Sequence, residues 1–252
     1  MKTKIALVTG GSRGLGREMA LKLAEKEMDL IITYKSNAEG ANSAVNEIKA
    51  AGQKAKAFQL NTTDIKLFDE FFKNVCEYLT DEYGEPYFDF LINNAGIGIY
   101  KPFLETTEEM FDDLVNINFK GVYFLTQKAL TFMRDGSGII NISSGLARFT
   151  LPNSSAYGPT KGAVDVFTRY IAKELAHRKI RANVVAPGAT ATDFGGGENK
   201  TNEKKRALIS GATALGRVGE PDDIGGVVAF LCTDDAKWIN GQRIEVSGGI
   251  FL

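Results

Sequence analysis

Cysteine, histidine and tryptophan are nearly absent: the 252 residues hold two cysteines, one histidine and one tryptophan. Two cysteines, Cys76 and Cys232, cannot build a disulfide framework, and reduced thiols in or near a core are expected. No CxxC and no Cys/His cluster occurs, so no protein-built metal site is expected. The lone histidine, His177, sits in the charged run Glu174-Leu175-Ala176-His177-Arg178, which argues against Ser–His–Asp hydrolysis. An excess of one charge sign is lacking too. Thirty basic residues against 31 acidic leave a net charge of −1, which removes a global basic field for nucleic acid. The basic stretch from Lys200 to Arg206 is bounded or interrupted by Glu198 and Glu203 and has no interleaved aromatics. No apolar run approaches the length of a membrane span, and Met1-Lys2-Thr3-Lys4 leads straight into a strand. A soluble, cytoplasmic protein is expected, with neither nucleic acid nor membrane as partner.

What is present is a globular composition. Apolar residues make up 44%, enough for a sizeable core, which excludes a disordered chain or a collagen-like fibre. Short apolar runs alternate with helical periods along the whole chain. Strands are predicted at 5–8, 30–34, 55–58, 88–92, 138–143, 182–185 and 243–246. Met19, Ala20, Leu23 and Ala24 mark the first helix, and further helices are predicted at 37–51, 65–83, 107–133, 155–177 and 221–232. This order predicts an α/β fold. It is a single doubly wound Rossmann-type domain over 1–252, with a seven-stranded, mostly parallel sheet flanked by helices. Gly195-Gly196-Gly197 and the polar stretch to Arg206 read as a mobile loop, with a lid over the site as one reading and a plain surface loop as the other.

The first strand runs into Thr9-Gly10-Gly11-Ser12-Arg13-Gly14-Leu15-Gly16, where a helix opens. Glycines let the backbone approach a pyrophosphate, and the helix start supplies oriented N–H donors. The spacing is Gly10-x-x-x-Gly14-x-Gly16 rather than GxGxxG. The second strand ends Thr33-Tyr34-Lys35-Ser36-Asn37, with no acid before Glu39 to hold a ribose 2′-OH. Lys35 and Arg13 would instead attract a 2′-phosphate, so NADP(H) is preferred, with NAD(H) as the alternative.

Tyr157 and Lys161 are four apart in a helical segment and share a face. An ammonium beside the phenol, together with a positively charged nicotinamide ring, is expected to lower its pKa; bringing a tyrosine from about 10 to neutrality takes roughly 4 kcal/mol. Ser144, at the end of the fifth strand, could donate to a substrate carbonyl oxygen while Tyr157 moves the proton. Ser143 alternates to the other side of the strand, which selects Ser144.

Thr9 to Gly16, Asn93-Asn94-Ala95-Gly96, Ser144, Tyr157-x-x-x-Lys161 and Pro187-Gly188 together resemble the short-chain dehydrogenase/reductase family. The resemblance spans essentially the whole chain and is nearest to its 3-oxoacyl-carrier-protein reductase branch. It implies that Asn118, in Asn118-Phe119-Lys120-Gly121, binds a water linking Lys161 to solvent. It implies adenine contacts at Asn61 and Thr62, where Asn61 departs from the usual aspartate. It further implies that Asn94, Ala95 and Gly96 line the cofactor. Pro187 and Gly188 would pass the nicotinamide, with Thr190 and Thr192 near its carboxamide or the phosphates. The implied activity is NADP(H)-dependent hydride transfer between a ketone or aldehyde and an alcohol. The implied substrate is a carrier-protein or CoA 3-oxoacyl thioester, with steroids, sugars and polyols as alternatives. Arg134 and Arg178 are candidates for meeting an acidic carrier. Gly145, Leu146, Phe149, Ile97, Tyr100 and Phe194 are candidate substrate-wall residues. A dimer or tetramer is implied, with the apolar ending Val246 to Leu252 buried against a neighbour or against the chain's own core. The rival of another class is a non-catalytic NADP-sensing module, which would be expected to have lost Tyr157, Lys161 or Ser144.

Overall fold

The continuous apolar runs become strands covered on both faces, which is where a run without polar alternation is stable. The computed structural model describes residues 3–252; the expectation for Met1 and Lys2 lies outside them. The chain begins with β1 (Ile5–Val8), α1 (Gly14–Ala24), β2 (Asp29–Tyr34), α2 (Ala38–Ala50), β3 (Ala55–Gln59), α3 (Phe68–Tyr83) and β4 (Phe88–Asn93). It continues with α4 (Glu108–Val115), α5 (Gly121–Ala129), β5 (Met133–Ile142), α6 (Tyr157–Glu174) and β6 (Arg181–Pro187). The last elements are α7 (Glu198–Thr201), α8 (Glu203–Ala212), α9 (Pro221–Leu231) and β7 (Arg243–Val246).

The seven strands form one sheet in the order β3-β2-β1-β4-β5-β6-β7, and every pairing is parallel. Side chains alternate across it. Ala6 and Val8 face a core shared with Met19, Leu23, Ile48 and Val228 from α1, α2 and α9. Ile5 and Leu7 face the opposite core of Phe68, Phe72, Leu79, Leu125 and Ile171 from α3, α5 and α6. Strand order reverses between β1 and β4, so a crevice opens beyond their carboxyl ends.

Three elements differ from the sequence prediction. The helix expected over 107–133 is divided: α4 passes into a π-helical turn at Asn116–Lys120, then α5, then a 3₁₀ turn at Leu130–Phe132. The fifth strand starts at Met133, five residues earlier than expected, because Met133 pairs with Phe88 before the register shifts and Gly138 meets Phe90. The stretch expected as a loop holds α7 and α8. Glu198 and Glu203 favour their helix starts, and Asn202 caps α8 by accepting the Lys205 N–H at 3.1 Å. Among the described residues, no helix is long and apolar enough to cross a membrane, and no group of three or more potential ligands could hold a metal ion.

Candidate active site

The crevice at the switch point is a cleft of about 1230 Å³. Its floor is the glycine turn. Thr9 Oγ1 accepts the N–H groups of Asn94 and Ala95, each at 2.9 Å. Asn94 Nδ2 donates back to the carbonyls of Thr9 (2.9 Å) and Gly10 (3.2 Å). These bonds lock the β1 and β4 ends together. Gly10 and Gly14 have φ of +67° and +55°, a region that disfavours side chains, and a Cβ on Gly16 would lie 2.2 Å from the Gly10 carbonyl oxygen. At the start of α1 no side chain caps the free N–H groups, and no acid stands in its first turn. That arrangement suits an anionic pyrophosphate.

Ser12, Arg13, Leu15, Tyr34, Lys35, Ser36, Asn61 and Thr62 line one end of the cleft. Asn61 Oδ1 accepts the Thr63 hydroxyl at 3.0 Å. Among the described residues, neither Arg13 nor Lys35 is in an ion pair with a carboxylate, which leaves both cations facing the cleft for a phosphate. The donor set and the close-approach glycines therefore fit a pyridine dinucleotide with a 2′-phosphate.

At the other end, Tyr157 opens α6 and is 4% exposed. The Ser144 side chain lies near enough to the Tyr157 hydroxyl to favour the ionised phenol. Ser144 Oγ accepts the Leu146 N–H at 3.2 Å, which leaves its own proton for donation. Ser143, by contrast, donates to the Lys161 carbonyl at 3.2 Å. Lys161 Nζ donates to the Ile142 carbonyl at 3.0 Å and lies 6.0 Å from the Tyr157 ring centroid. Asn118, on the π-helical turn, exchanges two 3.0 Å bonds with the main chain of Ile97. Its Nδ2 also donates to Thr160 Oγ1 at 3.4 Å, so the amide joins the segment after β4 to α6. Gly96 packs between them: a Cβ there would be 3.0 Å from Asn118 Oδ1 and 3.5 Å from Lys161 Nζ.

Burial pushes the Tyr157 phenol up, with Tyr100 adding to the rise and Ser144 partly opposing it. The lowering expected from Lys161 and a positive nicotinamide ring together belongs to the cofactor complex. Burial lowers Lys161 to about 8, with Asp165 pulling the other way. The protein alone thus holds Tyr157 as a neutral phenol, the form that can give up a proton.

Pro187, Gly188, Thr190 and Thr192 line the cleft beyond β6, and Thr190 pairs in a bridge with Gly219. The wall above Tyr157 is aromatic. Tyr100 and Phe194 flank its ring at centroid distances of 5.6 and 6.1 Å, and Phe149 meets Phe251 at 5.7 Å. Gly145, Leu146 and Ile97 also line it. Arg134 and Arg178 are absent from the lining. Arg134 is paired with Glu85 (2.7 Å) and Asp89 (2.9 Å), and Arg178 with Asp135 (2.7 Å). Sequence reasoning missed the buried ladder beneath the site. Asn93 donates to Thr126 (2.9 Å) and Asn141 (2.8 Å), and Asn141 donates to Thr168 (2.8 Å). Buried polar residues facing one another from β4, β5, α5 and α6 are the only sequence signal for it.

A family model described as enoyl-(acyl carrier protein) reductase matches residues 10–250. The chain belongs to the short-chain dehydrogenase/reductase family. This short-chain dehydrogenase/reductase is an NAD(P)-dependent oxidoreductase of the C=O/CH–OH class. It is 35% identical over 257 residues to a hydroxynaphthalene reductase-like protein, Arp2, of Metarhizium brunneum, covering 98% of this chain and 94% of the relative. The reductase LugOII, said to catalyse keto-reduction at C1 in lugdunomycin biosynthesis, has 37% identity and a TM-score of 0.94, covering 99% and 98% of the two chains. The landomycin C-6 ketoreductase LanV, solved with NADP and rabelomycin, has 36% identity and a TM-score of 0.90 over 98% and 96%.

Proposed function

We propose that this protein reduces a ketone carried on a flat aromatic ring system, with NADPH as its reductant. The observation that carries the reading is the juxtaposition of the Ser144 side chain and the Tyr157 hydroxyl at the base of an aromatic wall formed by Tyr100 and Phe194. Gly10, Ser12, Gly14, Leu15 and Gly16 would hold the pyrophosphate, with Arg13, Lys35 and Ser36 at the 2′-phosphate and Tyr34, Asn61 and Thr62 around the adenosine. Asn94, Ala95, Gly96, Pro187, Gly188, Thr190 and Thr192 would flank the nicotinamide half. NADPH supplies the hydride when bound.

The protein supplies the proton and the geometry. Ser144 donates a hydrogen bond to the ketone oxygen, and Tyr157 transfers its phenolic proton to that oxygen as the carbonyl becomes an alcohol. The resulting phenolate is stabilised by the nearby Lys161 ammonium until a proton returns from solvent. Asn118 keeps the Ile97 segment, and with it one wall of the site, in place. Offset or edge-on packing against Tyr100 and Phe194 favours planar rings over an acyl chain. The description of Arp2 as a hydroxynaphthalene reductase-like protein supports an aromatic substrate, and those of LanV and LugOII support keto-reduction.

The competing substrate is a 3-oxoacyl thioester on a carrier protein. The two arginines considered for it, Arg134 and Arg178, are engaged in ion pairs of their own. NADPH turnover with 1-tetralone-type ketones, acetoacetyl thioesters, sugars and a steroid ketone distinguishes the classes. The expected order puts kcat/KM highest for the aromatic ketones; a higher value for the thioester overturns the substrate assignment. The whole chain acts as one catalytic domain, since a single sheet spans β1 to β7. We also propose a homo-oligomer, because Trp238 and Leu252 are 96% and 95% exposed; light scattering that reads a monomer would contradict it.

A further inference from the structure

The main-chain carbonyl of Ser144 is held from outside its own strand. The pairing of β5 with β6 ends at Ile142 and Val185. Two residues on, Ser144 O accepts the Ala147 N–H at 3.1 Å and Arg243 Nη2 at 2.9 Å. Arg243 lies on the edge strand β7, 99 residues away in sequence. Its Nε donates to Asp165 Oδ2 at 2.8 Å, and its Nη1 to Glu245 Oε2. Glu245 is two residues along β7 and so on the same face of the sheet. Asp165 lies on α6 one turn beyond Lys161 and two beyond Tyr157, on the face that carries both.

We propose that Arg243 is a positioning residue: gripped by Asp165 and Glu245, its guanidinium fixes the Ser144 carbonyl and thereby aims the Ser144 hydroxyl at Tyr157 and the substrate oxygen. The inference rests on the roles given above to Ser144 and Tyr157. A planar fork satisfies three acceptors at fixed angles, which a single ammonium cannot do. The cost of the arrangement also speaks for geometry rather than for stability. Asp165 is buried, and among the described residues its Oδ1 has no hydrogen-bond partner, though the nearby Ser143 side chain favours its charge. An ion pair buried with one oxygen unsatisfied is a poor stabilising device. What it achieves here is a rigid connection between the helix that carries Tyr157 and Lys161 and the loop that carries Ser144. Arg148, at 3.6 Å from Glu245, extends the connection to the turn before Phe149.

The test is a double-mutant cycle on the full chain with NADPH and the best ketone of the panel. Arg243→Gln is expected to lower kcat by about tenfold or more, as loss of orientation does. Binding of NADPH, read by its fluorescence, is expected to stay within about twofold. In the Ser144→Ala background the same substitution is expected to change kcat by less than about twofold, because its effect runs through the missing hydroxyl. A full tenfold loss in that background, or an Arg243→Gln enzyme within twofold of the parent, overturns the proposal. Should Arg243→Gln fail to fold, the isosteric Asp165→Asn takes its place in the cycle with the same expectations. Tyr157→Phe in the same series separates the two readings. If it keeps turnover, the proton-donor reading and this inference both fail; if it loses turnover while Arg243→Gln does not, only the positioning role fails.

Discussion

Replacing Thr9 with valine keeps the side chain's shape and removes one oxygen. That oxygen accepts the N–H groups of Asn94 and Ala95, each at 2.9 Å, and donates to the Ile92 carbonyl at 3.3 Å. Each buried donor left without an acceptor costs about 1–3 kcal/mol. The Asn94 N–H retains the Ile92 carbonyl at 3.1 Å, and both residues border the cleft, where water can reach them. The full sum for two orphaned donors therefore overstates the loss, and about 2 kcal/mol is expected. For a chain of this size that lowers Tm by about 4–8 °C. The same change loosens the segment that faces the nicotinamide half, so NADPH affinity should fall as well. Differential scanning calorimetry with and without NADPH reads both effects. A Thr9→Val protein whose Tm lies within about 1 °C of the parent would refute the claim that this hydroxyl locks β1 to β4.

Arg13→Ala and Lys35→Ala should each weaken NADPH binding by about tenfold and leave NADH binding nearly unchanged, since only the 2′-phosphate loses a partner; equal losses for both cofactors, measured by fluorescence titration, would contradict this. Because burial lowers Lys161 to about 8, kcat/KM for NADPH, which reports the free enzyme, should be level below pH 8 and fall above it as the ammonium is lost. A profile that is flat or rising to pH 9.5 would rule that out. Lys161→Met should abolish turnover yet stabilise the fold at pH 7 by about 1–3 kcal/mol, since a buried ammonium with one carbonyl acceptor is replaced by an apolar chain; a lower Tm from thermal melts would count against it.

Most of the fold was legible because local and global signals agree. Apolar runs such as Leu30-Ile31-Ile32 have no polar alternation and so demanded a covered parallel sheet, and Gly10, Gly14 and Gly16 marked the turn where it binds an anion. What was hidden is long-range. Arg134-Asp135-Gly136-Ser137 has the composition of a turn, yet it lies inside β5, because Phe88 recruits Met133 and Arg134 neutralises the buried Asp89. The π-helical turn at Asn116–Lys120 leaves the apolar period almost undisturbed, so nothing in the pattern announced it. The polar residues after Gly197 suggested a loop, but first-turn acids and the Asn202 cap suffice for two short helices. In the site, Tyr157, Lys161 and Ser144 could be singled out from spacing and strand alternation taken together with the family resemblance. The raised Tyr157 phenol could not, since burial is a property of the assembled wall of Tyr100 and Phe194. The grip of Arg243 on Ser144 was equally out of reach, as no local pattern joins residues 99 positions apart.

The central claim is that the Tyr157 phenol delivers the proton to a ketone docked against reduced pyridine nucleotide. Single-turnover oxidation of NADPH by Tyr157→Phe, with saturating aromatic ketone and a parallel titration of NADPH affinity, tests it most directly. The account predicts a rate reduced by at least about 10²-fold, with affinity within about twofold of the parent. A Tyr157→Phe enzyme that oxidises NADPH at the parent's rate would contradict it.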